Sequence, residues 1–524
     1  MNTGLFRQWD VQHEGPTGLD VLLGESAVSN LESMRHRVRP ASDDSTLLDL
    51  TMEEVQSGCA QGPFAAAEID SKFGAGGWRP LGRFLHHQPD RKVRQIDSGK
   101  APGHNAATCE EETIYTTSVD VIPAVMQAVL ALVCQTLVAL GDLSPNWQEL
   151  PIHEVLGQLP QWLSFLLGTE DMVSTYRQHP VLLDHLAFTC VAFRHCQFND
   201  FRFIVLLGMP FGMSSSVINF CRTPALHTAF GRRYFGVVYA AFFDDTGITD
   251  LSCCAQSSQV GVQLIYHAAG THLDPGKSQV MALQRACLGL SVNVGAATFP
   301  DNVLFDLKPG FQHGTDAIVC QIFEEERCTS GTASSLRGRF RWAATATFGR
   351  CARGGQSALV ARQYYDREEC LTAPLSHDLI FHKMLPLVVG IRQVPVLHFR
   401  RPTCVIYSDA SYEISDPFPA RLGLVYFDDS GSKPLGLAAV VSHTELSALQ
   451  CRMQQITACE MMPVLYFLLS HSSLVAGRDV LWWIDNQASV SLLIKGSSSQ
   501  QDLAAISAAV HLYSAHLGCR LWLE

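Results

Sequence analysis

Residues 237–245 read VVYAAFFDD. A β-branched and aromatic run of this kind predicts a strand buried on both faces. Yet it ends in two adjacent acids, Asp244 and Asp245. Neighbouring carboxylates repel each other, so a fold that carries this segment must deal with them in one of two ways. They stand in a solvated hairpin turn, for which Asp and Gly are ordinary residues, or they face a divalent cation that cancels the repulsion.

The second possibility makes a demand on the rest of the chain. A two-metal phosphoryl-transfer site needs carboxylates from separate segments, converging on cations about 3.5–4 Å apart. One adjacent pair cannot hold both ions, so a third acid is expected upstream near a strand end. The stretch TEDMVSTYRQHPV offers Asp171 after an apolar run, with Tyr176 five residues on. Asp184, in VLLDH, competes for the role but lacks the polar surroundings, and Asp171 is preferred.

Length and composition set the frame. The 524 residues exceed what one hydrophobic core serves, which predicts three or four folded units. With 47% hydrophobic and 17% charged residues the chain is globular, and a net charge of −12 argues against a general polyanion binder. Residues 331–403, containing LRGRFRW, FGRCARGG and HFRRP, are locally basic. Such a stretch suits a nucleic-acid path and equally suits a solvated helical face. The 17 cysteines form no C-x-x-C pair, a pattern of free thiols in a reducing intracellular compartment, nucleus or cytoplasm undivided, and not of a zinc site. The uncharged stretch 121–141 is long enough to span a bilayer. Its Ala124, Gln127, Ala131, Gln135 and Ala139 recur at helical spacing, which predicts a small-residue face packed on protein and no membrane partner.

Along the chain, residues 1–45 read as a mobile leader. Order is expected from DSTLLDLTMEEVQSG, a helix with Glu53 and Glu54 early and Gly58 past its end. A glycine-rich loop and the basic strand RKVRQID follow, within a region 46–164. Residues 165–300 alternate strands and helices, 301–400 look helical and basic, and 401–524 change pattern again. There CVIYS is a strand, LGLVYF and LAAVVS a hairpin, and QQITACEMMPVLYFLL a helix. DVLWWID follows as a strand, then two helices and the strand CRLWL.

Five segments together resemble the ordered motifs of reverse transcriptases. They are D-x-x-S-x-Y-R-Q at 171–178, M-P-F-G-M-S-S-S at 209–216, F-D-D at 243–245, L-D-P-G-K-S-Q at 273–279 and L-G-L at 288–290. The chain is most similar to polymerases of the DIRS-like and gypsy-like retroelements, over roughly residues 46–524. The resemblance implies an α/β and α+β multidomain chain. It would be a right-hand polymerase with fingers and N-terminal palm elements at 46–164, palm at 165–300 and a thumb or connection at 301–400, followed by a ribonuclease H-like domain at 401–524. It implies that Asp171, Asp244 and Asp245 ligate two Mg²⁺ ions, with Mn²⁺ as the alternative. Tyr176 falls at the steric gate against ribose, and Phe211 and Gly212 at the turn beside the incoming nucleotide. Lys277 matches a proton donor to pyrophosphate, and Lys92, Arg94 and Lys100 lie where triphosphate is gripped, without a choice among them. The implied partners are an RNA template, a DNA primer, their RNA–DNA hybrid and deoxynucleoside triphosphates; oligomeric state is left open. One departure is Phe242, where the family commonly has Tyr.

The order of elements after Cys404 is that of a ribonuclease H fold. Asp409 is expected to end the first strand, Glu460 to sit in the helix and Asp485 to end WWIDN. Together they resemble the D-E-D core of retroelement ribonuclease H, which implies two Mg²⁺ and cleavage of the RNA strand of a hybrid. Two features predict weak or absent cleavage. The family's fourth acid would follow the last strand, where this sequence stops at Glu524, and Pro463 is expected to kink the helix and displace Glu460. The competing account is a non-catalytic descendant that keeps the fold and binds nucleic acid or protein.

Overall fold

The computed structural model describes residues 19–37, 40–87, 93–108, 114, 117–160, 163–198, 200–295, 302–397 and 401–524. The architecture is mixed α/β with several sheets, in two compact units. One comprises residues 1–121 and 166–282, the other 122–165 and 283–524.

The first unit holds two sheets. Its five-stranded sheet runs in the order Ala60–Phe64, Asp200–Leu206, Cys190–His195, Leu81–His87 and Val93–Ser98. Val191, Phe193, Phe203 and Val205 are buried in its core, as near-continuous apolar strands require. Part of the expected leader belongs here too. Glu25–Arg37 is a helix, and Leu22 and Met34 are buried in the same core; residues 1–18 lie outside those described. The helix expected after residue 43 runs Asp44–Gln56. Glu53 and Glu54 therefore stand in its last turn, not early in it, because the helix begins at Asp44.

The second sheet carries the acids. It runs in the order Tyr239–Phe242, Asp245–Leu251, Phe165–Asp171 and Gln279–Ala282. The run VVYAAFF is thus shorter as a strand than expected. It is an edge strand, buried at Tyr239 and Ala240 and half-buried at Ala241 and Phe242. Phe242 pairs with Asp245, leaving Phe243 and Asp244 as a two-residue hairpin loop. Helix Ala255–Ala268 packs on this sheet through Val262, Ile265 and Tyr266, and Tyr266 shares a 2.7 Å hydrogen bond with Thr246.

In the second unit, Gln284–Cys287, Leu290–Asn293, Asn302–Leu307 and Arg392–Pro395 form an antiparallel sheet. The L-G-L segment supplies its first hairpin loop, with Leu288 and Gly289 at φ 48° and 80°. Four helices follow, of which Pro309–Glu325 and Ser330–Ala343 meet Ser357–Tyr364 and Ala373–Val389 around Val319, Leu336, Leu359 and Leu379. Part of the basic stretch is engaged inside this unit. The Arg362 guanidinium is buried and donates to the Cys328 and Cys370 carbonyls at 2.8 and 2.7 Å. Arg353 donates to Lys495 O and Arg392 to Ala346 O.

Helix Val121–Leu140 is long and apolar enough to cross a membrane by length and composition. Its packed face differs from the expected one. Ile122, Met126, Leu130 and Cys134 are buried, whereas Ala124, Ala131, Gln135 and Ala139 are exposed. Large side chains bury more apolar area per contact than alanine, so the row of larger residues wins the interface. Gln127 donates to Pro395 O at 2.7 Å.

Residues 401–524 follow the expected element order. A five-stranded sheet runs Leu435–Val441, Ala420–Asp428, Thr403–Tyr412, Asp479–Ile484 and Arg520–Leu523. The first three are antiparallel and the last two pair parallel to Thr403–Tyr412 and to each other. Helix Ile456–Ser470 covers it with Met461, Val464, Phe467 and Leu468. The helix is continuous through Pro463. What proline removes there is a donor to the Cys459 carbonyl.

Candidate active site

Asp171 is the last residue of strand Phe165–Asp171, and the neighbouring strand begins at Asp245. Adjacent strands are about 4.8 Å apart, so the two strand ends place these carboxylates near enough for Asp171 to bear on the acidity of Asp245. Desolvation at the crowded hairpin tip pushes the Asp245 acid up to about 6, helped by the charges of Asp244 and Asp171, while Lys277 pulls the other way. Asp244 occupies the loop beside them and accepts a 3.3 Å hydrogen bond from Thr175. Phe243, which precedes it, sits at φ 54°. A bulky residue in the left-handed region is strained. Of the two alternatives, the hairpin turn is the one the backbone realises. Asp184 is exposed in a 3₁₀ turn, Leu183–Phe188.

Lys277 belongs to the turn between the helix and the fourth strand. Its Nζ lies 2.7 Å from Asp171 Oδ1 and 4.0 Å from Asp274 Oδ2. The bond to Asp171 holds the ammonium group above its usual range.

A cavity of about 380 Å³ adjoins these groups. Arg94, Tyr176, Phe211, Asp244 and Lys277 all line it, together with Glu54 and Arg177. The Tyr176 ring packs against Phe211 and Phe220, each at a centroid distance of 5.3 Å, and burial pushes its hydroxyl up to about 12. Gly212 is at φ +131°, and a Cβ there would lie 2.3 Å from the Asp97 carbonyl. Its close approach is thus to strand Val93–Ser98. Lys100 is exposed in a turn and is not among the cavity's lining residues. Lys92 lies outside the described residues.

Sequence reasoning missed the groups that tie this wall together. Arg177 donates to Glu54 Oε1 at 2.7 Å, Asp97 Oδ2 at 2.8 Å and Met209 O at 2.6 Å. Asp97 also accepts from Arg83 Nε at 2.7 Å. The one available signal was an arginine directly after the cavity tyrosine, in the stretch STYRQ.

In the second unit, Asp409, Glu460 and Asp485 present ligand atoms that all lie within 4.8 Å of one another. Asp409 lies inside strand Thr403–Tyr412, which continues past it instead of ending there. Glu460 is buried. Its Oε1 accepts from Ala410 N at 3.1 Å, and its Oε2 has no hydrogen-bond partner. Desolvation, with the charges of Asp485 and Asp409, pushes its acid up to about 7. A buried carboxylate oxygen left without a donor is costly, and a cation between three acids would relieve that cost.

No protein-family model matches the chain, and no curated protein matches it. Among solved structures it is similar to three of a foamy viral protease-reverse transcriptase. The dRH form in complex with double-stranded DNA is 14% identical at a TM-score of 0.43, covering 90% of this chain and 68% of that one. A second complex with double-stranded DNA is 14% identical at 0.44, covering 99% and 90%. A complex with an RNA/DNA hybrid is 12% identical at 0.42, covering 98% and 64%.

Proposed function

We propose that this chain is an RNA-directed DNA polymerase of a retroelement, adding deoxynucleotides to a primer 3′-hydroxyl. The observation that carries the proposal is the placing of Asp171 and Asp245 at the ends of neighbouring strands, with Asp244 in the loop beside them lining a cavity walled by Tyr176 and Phe211. Carboxylates are the ligands that divalent cations take; in this structure the Lys277 ammonium occupies one oxygen of Asp171, and drawing the three acids onto ions requires them to close together. Mg²⁺ held there, or Mn²⁺ in its place, would lower the pKa of the attacking hydroxyl and neutralise charge on the triphosphate.

The remaining roles belong to the chain itself. Tyr176, wedged between two phenylalanines, gives a fixed ring against which a ribose 2′-hydroxyl would clash. Arg94 presents an exposed guanidinium to the cavity, suited to a triphosphate. Lys277, protonated at neutral pH, can give a proton to departing pyrophosphate. We read the second unit's sheet and its acids Asp409, Glu460 and Asp485 as ribonuclease H-like, a set that also fits divalent cations. The partners of this reading are an RNA template, a DNA primer, their hybrid and deoxynucleoside triphosphates.

The test is primer extension on an RNA template with Mg²⁺, comparing the chain with Asp244→Asn. Template-dependent extension that the substitution abolishes supports the proposal. No extension by the unsubstituted chain, or extension that survives the substitution, contradicts it and favours a binding protein that keeps the fold.

A further inference from the structure

Glu54, Arg83, Asp97 and Arg177 form a closed knot of two cations and two anions. Besides the bonds of Arg177, Arg83 Nη1 lies 2.7 Å from Glu54 Oε2 and Arg83 Nε 2.7 Å from Asp97 Oδ1. The side chains of Arg83 and Asp97 are wholly buried, and that of Arg177 is 8% exposed. Four separate segments meet in it: helix Asp44–Gln56, strands Leu81–His87 and Val93–Ser98, and the 3₁₀ turn Thr175–Gln178.

A fifth segment is clamped by the knot, the turn that carries Phe211. Arg177 Nη1 holds the Met209 carbonyl, and Asp97 N donates to Phe211 O at 2.8 Å. Both flanking glycines are pressed onto the same two residues. A Cβ at Gly208 would lie 2.3 Å from Arg177 O, and one at Gly212 would lie 2.3 Å from Asp97 O. Stability alone does not call for such a device, because well-packed apolar residues commonly serve as well as a buried ion network. A guanidinium fork does what apolar packing cannot: it fixes direction, since its donors leave in set directions. Here one of those donors ties the residue after Tyr176 to the Met209 carbonyl, two residues before Phe211, and another grips Asp97, whose own N–H holds Phe211 O.

We propose that Arg177, anchored by Asp97 and Glu54, is a positioning residue for sugar selection: it holds the Tyr176 ring against Phe211 at the spacing that admits a deoxyribose. This rests on the polymerase reading above and adds to it a determinant that does not itself touch the nucleotide sugar. Loosening the knot lets the ring retreat, so a ribonucleotide gains more than a deoxynucleotide loses.

The experiment measures kcat/KM for a deoxynucleotide and for its ribonucleotide on one primer–template, with melting temperature alongside, for the full chain, Arg177→Lys and Glu54→Gln. Lysine keeps the charge and loses the fork. Arg177→Lys is expected to lower the deoxy-over-ribo preference by about tenfold or more, as a small misplacement of a substrate-facing wall does. Glu54→Gln removes one arm at the less enclosed edge, which keeps the test alive if Arg177→Lys does not fold; the expected fall is smaller and in the same direction. A loss equal for both sugars, or no change in the ratio, overturns the inference while extension by the unsubstituted chain leaves the polymerase reading standing. An unsubstituted chain that adds neither nucleotide overturns both.

Discussion

Lys277 Nζ donates to Asp171 Oδ1 across 2.7 Å. The ammonium group occupies one oxygen of a carboxylate whose other neighbour is Asp245. An exposed ion pair of this kind contributes little stability, so its placement is better explained by chemistry. If Lys277 delivers a proton to the leaving group, Lys277→Met slows single-turnover nucleotide addition by about 10²-fold, within the usual range for a general acid, with primer–template affinity unchanged. An unaltered rate would leave the lysine as a counter-ion only.

The acid of Asp245 is pushed up to about 6. Because the folded value is raised, the stability from its protonated form is complete at low pH and is lost as pH rises through about 6. A divalent cation needs the ionised form and reverses this trend. Millimolar Mg²⁺ should therefore raise the melting temperature at pH 7.5 and leave it unmoved at pH 5. Asp245→Asn should shrink the increment at pH 7.5. An increment equal at both pH values would contradict the shift.

Glu460 gives a separate test of the second unit. Its acid is pushed up to about 7, so above that pH the metal-free fold carries a buried negative charge with one unbonded oxygen. Glutamine has nearly the same shape and no charge. Without metal, Glu460→Gln should melt higher than the unsubstituted chain at pH 8 and no higher at pH 5.5. With Mn²⁺ the order at pH 8 should invert, because the substituted site binds the ion less well. Hybrid cleavage, where measured, should fall in the same variant.

The basic stretch divides into two groups with different predicted effects. Arg362 is buried and serves two carbonyls, so Arg362→Gln should cost about 3 kcal/mol in denaturant unfolding, as loss of a buried charged hydrogen-bond donor does. Arg341 is exposed. Arg341→Gln should leave stability alone and, if this face meets the hybrid, reduce the slope of log affinity against log salt by about one. An unchanged slope would remove Arg341 from the nucleic-acid path.

Local periodicity carried most of what was legible. The alternating strands and apolar helices of residues 401–524 announce their own order, and Asp171 and Asp245 stand at the ends of neighbouring strands with Asp244 in the hairpin loop. The ion knot was not legible, because Glu54, Asp97 and Arg177 are far apart in sequence and each looks like an ordinary surface charge. Glu54 was even assigned to the wrong end of its helix. The face of helix Val121–Leu140 was misjudged for a related reason: a small-residue stripe and a larger apolar row both repeat at helical spacing, and only packing chooses between them. Pro463 lies within a continuous helix whose neighbours Met461, Val464 and Phe467 are buried in the core.

The account turns on cations shared by Asp171, Asp244 and Asp245. Replacing Mg²⁺ with Fe²⁺ and mapping the backbone cuts made by locally generated hydroxyl radicals measures where the ions sit. The predicted result is cleavage around residues 171 and 244–245 as well as around 409, 460 and 485, with the first set lost in Asp171→Asn. Cuts at 409, 460 and 485 alone would show that iron is bound yet ignores the first site, and would contradict the account.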